Sequence, residues 1–239
     1  MAARLGKHIW VAAAAALALA GFAAANVVGA AVIRPAPIVV ELFQSQGCSS
    51  CPPANAIANT LAARADLLVL SYGVTYWDQL GWRDTFASAE NTQRQYHYAR
   101  GLHRDNVATP QMIINGRIDL VGNNRASVDR ALQSAQRPIA LDARIDGVVV
   151  PVGAAPQGGA DVWLVRYDPR ERDVAVHAGE NNGRTLPHRD VVRELRLLGR
   201  WNGSAARFAA PPAHEAGLKT AYLLQAPDGG PIIGAGVAP

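Results

Sequence analysis

Apolar and polar positions along the chain divide it into two stretches with different rhythms. Ile38-Val-Val-Glu-Leu-Phe43 is a short, nearly continuous apolar run and predicts a buried strand. Residues 54–64 carry apolar side chains at helical spacing around Ile57 and Leu61, and Leu67-Leu-Val-Leu-Ser71 predicts a second buried strand. A loop rich in Trp, Asp and Gly follows. A polar helix is expected from about Ser88 to Leu102, with Ser88 as its N-cap. Met112-Ile-Ile114 and Ile118-Asp-Leu-Val121 flank Asn115-Gly116, a strong hairpin signal. A short helix from about Arg125 to Gln136 closes the stretch. The order β-α-β-α-β-β-α implies a parallel pair at the start and antiparallel strands at the end.

Beyond Ile139 the rhythm becomes alternating. Strands are predicted at Leu141–Val150, Val162–Tyr167, Val174–Ala178, Val191–Leu198 and Lys219–Gln225, punctuated by Gly and Pro. The expected architecture is an α/β domain over residues 36–137 and a small all-β, sandwich-like domain over 139–239, with the boundary near Gln136–Pro138. Before both lies Arg4, Lys7 and His8, then uninterrupted apolar sequence from Ile9 to Ala25. This reads as an export signal over residues 1–30, with small residues at cleavage positions near 25 or 30. A retained membrane anchor is the competing reading. Either places the rest outside the cytoplasm, periplasmic or secreted, where disulfides persist.

Composition narrows the chemistry. The 239 residues carry a formal net charge of +4, with no basic stripe of the kind nucleic acid requires. Hydrophobic residues make up 49%, enough to bury a core. Two cysteines exclude a disulfide-dense scaffold and an all-cysteine zinc site. No Walker, GxSxG, HExxH or EF-hand pattern occurs. Asn202-Gly-Ser204 fits a glycosylation acceptor, relevant only in a glycosylating secretory system.

Both cysteines fall in Cys48-Ser-Ser-Cys51, between the first strand and the first helix. A C-x-x-C at that junction in a βαβ context reads as a thioredoxin-like redox pair. Unpaired N–H groups and the positive end of the helix dipole favour a thiolate at the first sulfur. Cys48 is expected to be the exposed nucleophile and Cys51 the more buried resolving thiol. Pro52 disfavours a helical Cys51, so the regular helix is expected to start at Pro52 with the thiols in a turn ahead of it. The alternatives are a structural staple, half a zinc site or two inert thiols. As a staple, a ring this short contributes only roughly 2 kcal/mol.

Other residues join the cysteines by topology. Thr109-Pro110 precedes the third strand, where a thioredoxin fold places a cis-proline that positions an extended substrate. Tyr76, Trp77 and Trp82 lie in the loop expected to border Cys48, as an apolar rim for a peptide or as cover for the sheet end. Glu41, on the strand before the motif, is a candidate base for the resolving thiol. His177, Glu180 and His188 could gather as metal ligands, though scattered polar positions account for them as well.

Val40-Glu-Leu-Phe-Gln-Ser-Gln-Gly-Cys-Ser-Ser-Cys-Pro-Pro-Ala54 resembles the signature of secreted thioredoxin-like proteins grouped as the domain of unknown function 1223 family. Tyr76-Trp-Asp, Gly81-Trp82, Thr109-Pro-Gln-Met112, Gly179-Glu-Asn-Asn-Gly-Arg-Thr-Leu186 and Val191-Val-Arg193 carry the resemblance further. It implies a thioredoxin fold followed by a β-rich part and supplies no settled activity. The chain departs from that pattern at Gly73 and Thr75, where the resemblance implies His and Asp, and at Asn55, where it implies an acid.

The functional expectation is thiol–disulfide exchange on protein thiols or disulfides, of the reductase or isomerase kind, reset by a redox partner and needing no cofactor. Nucleic acid is not an expected partner, and a membrane is one only if the N-terminal segment is retained. The reading from a different class is a Cu(I) chaperone using Cys48, Cys51 and Met112.

Overall fold

The computed structural model describes residues 35–239, so the expected export signal lies outside the described residues. The strands are β1 (Ile38–Gln44), β2 (Leu67–Gly73), β3 (Gln111–Ile114), β4 (Ile118–Leu120), β5 (Ile139–Ala140), β6 (Asp142–Arg144), β7 (Gly147–Val150), β8 (Ala160–Asp168), β9 (Arg172–Ala175), β10 (Thr185–His188), β11 (Val191–Trp201), β12 (Ala206–Ala209), β13 (Lys219–Gln225) and β14 (Ile232–Val237). The helices are α1 (Pro52–Leu61), α2 (Ala89–Gly101) and α3 (Arg125–Ser134), with short 3-10 turns at Thr75–Leu80 and Gly179–Asn181.

The first seven elements follow the expected order. β1 and β2 pair in parallel, while β3 runs antiparallel to β1 and to β4. Ser88 caps α2 by accepting from the Asn91 N–H at 3.1 Å. The Asn115-Gly116 turn has positive φ at both residues, 49° and 63°, as a tight hairpin of this twist requires. Alternation along β1 sorts its side chains. Val40 and Leu42 join α1 and α3 in one apolar cluster, with Ala54, Leu61, Val128 and Leu132. Val39 and Phe43 face the opposite side, with Tyr98 of α2.

Where the sequence places a boundary, the sheet continues. β11 pairs in parallel with β2 through Val191 and Ser71, and Ser71 N donates to Asp190 O at 2.9 Å. The result is one nine-stranded sheet in the order β4-β3-β1-β2-β11-β8-β13-β14-β5. Val165, Tyr167, Val192, Ala221 and Leu223 share a core with Val39, Phe43 and Leu70. The sandwich-like element is smaller than expected: the sheet β12-β7-β6 shares a core around Trp201, Val162, Leu164 and Tyr222. β9 and β10 pair only with each other and form a two-stranded arm. Among the described residues no helix is long and apolar enough to cross a membrane.

Candidate functional site

The cysteine motif sits in the turn from β1 to α1. Cys48 and Cys51 form a disulfide, with their Cα atoms 5.4 Å apart. Regular helix starts at Pro52, as expected, yet Cys51 adopts helical angles despite the following proline (φ −76°, ψ −35°). Cys51 N donates to Cys48 O at 3.2 Å, and Asn55 N donates to Cys51 O at 3.0 Å, so the pair is wound onto the start of the helix.

One expectation is overturned here. Cys48 is not exposed: it is 0% accessible and Cys51 is 1%, while Ser49 and Ser50 face solvent. The cover comes from two distant segments. In the first, Gln46 N donates to Asp84 Oδ2 at 2.7 Å, and Gln46 Oε1 accepts from Trp82 Nε1 at 2.9 Å. In the second, at the tip of the β9–β10 arm, Asn181 Nδ2 donates to Gln46 O at 2.8 Å and to Cys48 O at 2.9 Å. Beside it, one Glu180 carboxylate oxygen accepts from Ser49 N at 3.0 Å and Ser49 Oγ at 2.7 Å. Those two hydrogen bonds, the hydroxyl first, hold the Glu180 carboxyl below its usual pKa.

Thr109 and Pro110 lie beside the motif, as the topology predicts. Their peptide bond is cis, and Ser50 Oγ donates to Thr109 O at 3.4 Å. Trp77 Nε1 donates to Thr109 Oγ1 at 2.7 Å, and the Trp77 side chain lies against Gly47. Tyr76 OH donates to Gln95 Oε1 at 3.1 Å, and burial raises its pKa to about 12. Tyr76, Trp77 and Trp82 are therefore half-buried, with their polar tips engaged internally and part of each ring still in solvent.

Two other candidates are not brought to the cysteines. Glu41 lies on the sheet face opposite α1, where Arg94 Nε donates to its Oε1 at 2.6 Å and Tyr98 OH donates to its Oε2. Its carboxylate is taken up by α2, so it is no base for Cys51. Met112 is fully buried in the core that Leu42 shares with side chains of α1 and α3, with Gly122 packed on its Cβ, Cε and Sδ. Its thioether is a core group rather than a third ligand presented to the cysteines.

His177, Glu180 and His188 reach the same region for separate reasons. His177 meets the Trp82 ring edge-on at 6.0 Å, and Glu180 holds Ser49. His188 is buried, edge-on to Phe86 at 5.4 Å, with Nδ1 3.3 Å from Asn55 Nδ2. Asn55 Nδ2 also donates to Pro187 O at 2.6 Å, so it is a fixed donor and the neutral ring carries its proton on Nε2. Burial lowers the His188 pKa to about 4. Among the described residues no group of three or more His, Cys, Asp and Glu side chains gathers as a metal site.

Sequence reasoning missed Asp84, Gln46 and Asn181. Asp84 Oδ1 and Oδ2 accept from Phe86 N and Gln46 N, and burial raises its carboxyl to about 6. Asn181 lies within Gly179–Leu186, one of the stretches that carry the resemblance, and that is the one signal the sequence holds for it.

Comparisons with known proteins agree with this architecture. The crystal structure of protein AGR_C_4864 from Agrobacterium tumefaciens is similar at 32% identity, covering 86% of this chain and 95% of that one, with a TM-score of 0.72. HBP35 of Porphyromonas gingivalis is similar in fold alone, at 13% identity and a TM-score of 0.50, over 85% of this chain and 74% of that one. No curated protein matches. The family model described as "Protein of unknown function (DUF1223)" matches residues 39–225, and with the strand-to-helix cysteine pair and its distant cover in place, the chain belongs to that family.

Proposed function

We propose that this chain is an exported, periplasmic or secreted, thiol–disulfide oxidoreductase with a thioredoxin-like core, acting on protein thiols or disulfides as a reductase or isomerase. The observation that carries the reading is the Cys48–Cys51 disulfide wound onto the start of α1 with Thr109 beside it. The order β4-β3-β1-β2, with α1 and α3 on one face and α2 on the other, supports the thioredoxin-like part. A four-residue ring does little as a staple, whereas it leaves two sulfurs able to exchange once the cover over them opens.

In the reducing direction the Cys48 thiolate attacks one sulfur of a substrate disulfide. That bond breaks, a mixed disulfide forms, and the first substrate sulfur leaves as thiolate and takes a proton. Cys51, deprotonated, then attacks Cys48 Sγ, closing the Cys48–Cys51 bond and releasing the second substrate thiolate. A reduced partner dithiol returns two electrons and two protons to the pair. Thr109 and Pro110 flank the path along which an extended substrate approaches, and Trp77 holds Thr109 in place.

The Cys51→Ser variant tests this directly, because it halts the cycle at the mixed disulfide. The expected result is a Cys48-linked protein partner, released by dithiothreitol and absent from a Cys48→Ser control. Failure to trap any partner overturns the reading.

A further inference from the structure

Glu180 comes from the arm between β9 and β10, 131 residues along the chain from Ser49. Its side chain is exposed, so burial does not account for its position. What fixes it is a pair of hydrogen bonds to one residue: Ser49 N at 3.0 Å and Ser49 Oγ at 2.7 Å. Ser49 follows Cys48 in the turn that leads into α1, and its N–H lies next to the first cysteine along the backbone. Backbone N–H groups of such a turn favour an anion, a thiolate on the first sulfur included. Here the Ser49 N–H is already taken, and it is taken by a carboxylate.

We propose that Glu180 is a positioning residue of the cysteine pair: its carboxylate holds the Ser49 N–H and opposes negative charge on Cys48, biasing the pair toward the disulfide. The inference rests on the thiol–disulfide reading above. It adds that the arm tunes the chemistry of the pair as well as covering it. Neighbouring Asn181 keeps the carboxylate in register, because its Nδ2 is fastened to Gln46 O and Cys48 O and its Oδ1 accepts from Arg184 Nη1 at 2.8 Å. Gly179, at φ +70°, lets the chain turn tightly beside Trp82. A like charge near a titrating thiol raises its pKa, and a thiolate that is harder to form makes the dithiol less stable relative to the disulfide.

Glu180→Gln keeps the shape and an acceptor oxygen while removing the charge, and Glu180→Ala removes both. The thiol pKa is read from thiolate ultraviolet absorbance in a Cys51→Ser background, where Cys48 is the single thiol. The pair's equilibrium with glutathione is read in the otherwise native chain. There two glutathione thiols give up two electrons and two protons, the Cys48–Cys51 bond breaks, and one glutathione disulfide forms; below the thiol pKa each sulfur takes a proton, and above it Cys48 stays a thiolate and its proton goes to solvent. Glu180→Gln is expected to lower the Cys48 pKa by about 0.5–1 unit at low salt. Above the thiol pKa it shifts the equilibrium roughly three- to tenfold toward the dithiol. Both effects shrink as salt is raised, since the carboxylate is solvent-exposed. A Glu180→Gln variant matching the wild type while Glu180→Ala departs from it makes Glu180 a neutral clip and overturns the proposal, as does no change in either. These readouts need no protein substrate. An empty partner trap therefore sinks the oxidoreductase reading while leaving the charge effect measurable, and an unmoved pKa sinks the charge effect while trapping still succeeds.

Discussion

Arg94 Nε donates to Glu41 Oε1 at 2.6 Å, with both side chains almost wholly out of solvent, 3% and 0% exposed. The guanidinium also lies over the rings of Tyr72, Tyr98 and Trp163, at 5.2–5.7 Å from their centroids. Removing one partner of such a pair leaves a buried charge without compensation. Glu41→Gln is expected to cost about 3–5 kcal/mol in urea unfolding. It should leave the Cys48 thiol pKa unmoved, because Glu41 faces away from α1. Tyr98→Phe, which deletes the hydroxyl's bonds to Glu41 and to Arg94 Nη2 and leaves the ion pair itself, allows the same thiol measurement in a milder background. A moved thiol pKa in either variant restores Glu41 as a participant in the chemistry.

His188 predicts a specific acid sensitivity. Its pKa is lowered to about 4 by burial, so between about pH 6.5 and 4 the unfolded chain takes a proton that the folded chain refuses. Stability contributed by the neutral ring is complete above that window and is lost as pH falls through it, by up to about 1.4 kcal/mol per pH unit. Asp84 and Asp190, both raised to about 6 by burial, act in the opposite sense, since acid relieves the cost of keeping them ionised. The raw pH profile mixes these effects. The difference between wild type and His188→Gln isolates the ring, and urea midpoints at pH 7 and pH 5 should diverge between the two proteins. Parallel midpoints would mean that His188 is protonated in the folded protein.

Asn181→Ala tests the cover over the disulfide. The substitution leaves Gln46 O and Cys48 O without their side-chain donor in a buried place, a cost of about 1–3 kcal/mol. Loosening the arm should also speed reduction of Cys48–Cys51 by dithiothreitol, because both sulfurs are shielded in the closed arrangement. An unchanged rate alongside lowered stability would show that reductant reaches the sulfurs by a route that does not need the arm to lift.

Gly73 has no room for a side chain. A Cβ there would sit 2.8 Å from Ala87 N and from the Phe86 carbonyl carbon, all backbone. Gly73→Ala should push residues 86–87 away from β2 and loosen the Phe86–His188 packing, costing about 1–3 kcal/mol in thermal or urea unfolding. A neutral Gly73→Ala would mean that the segment yields freely.

The first half of the fold was legible because its signals are local. A serine cap, an Asn-Gly turn and two apolar runs each act over a few residues. Glu41 misled because every residue of β1 is buried on both faces, so alternation could not say which face carries α1. β14 was missed because Gly234 and Gly236 replace the side chains that mark a strand, for which the reason is close packing against Leu141. β10 was hidden by Pro187, tolerated on an arm with a free edge. The burial of Cys48 depends on partners such as Asn181, 133 residues away, and no local pattern encodes that meeting.

The seam between β2 and β11 decides what can be cut from this protein. All seven residues of β2 are buried, and β11 meets its outer flank at Val191, with Ser71 N bonded to Asp190 O. A fragment ending after residue 137 would lose that bridge and leave an apolar strand at the edge of its sheet, open to a second copy. It would also strip Val165, Tyr167 and Leu223 from the core that Phe43 and Leu70 share. The cysteine-bearing half is therefore expected to be less stable and more prone to self-associate when excised, and a replacement strand along β2 is the remedy to try before its thiols are measured.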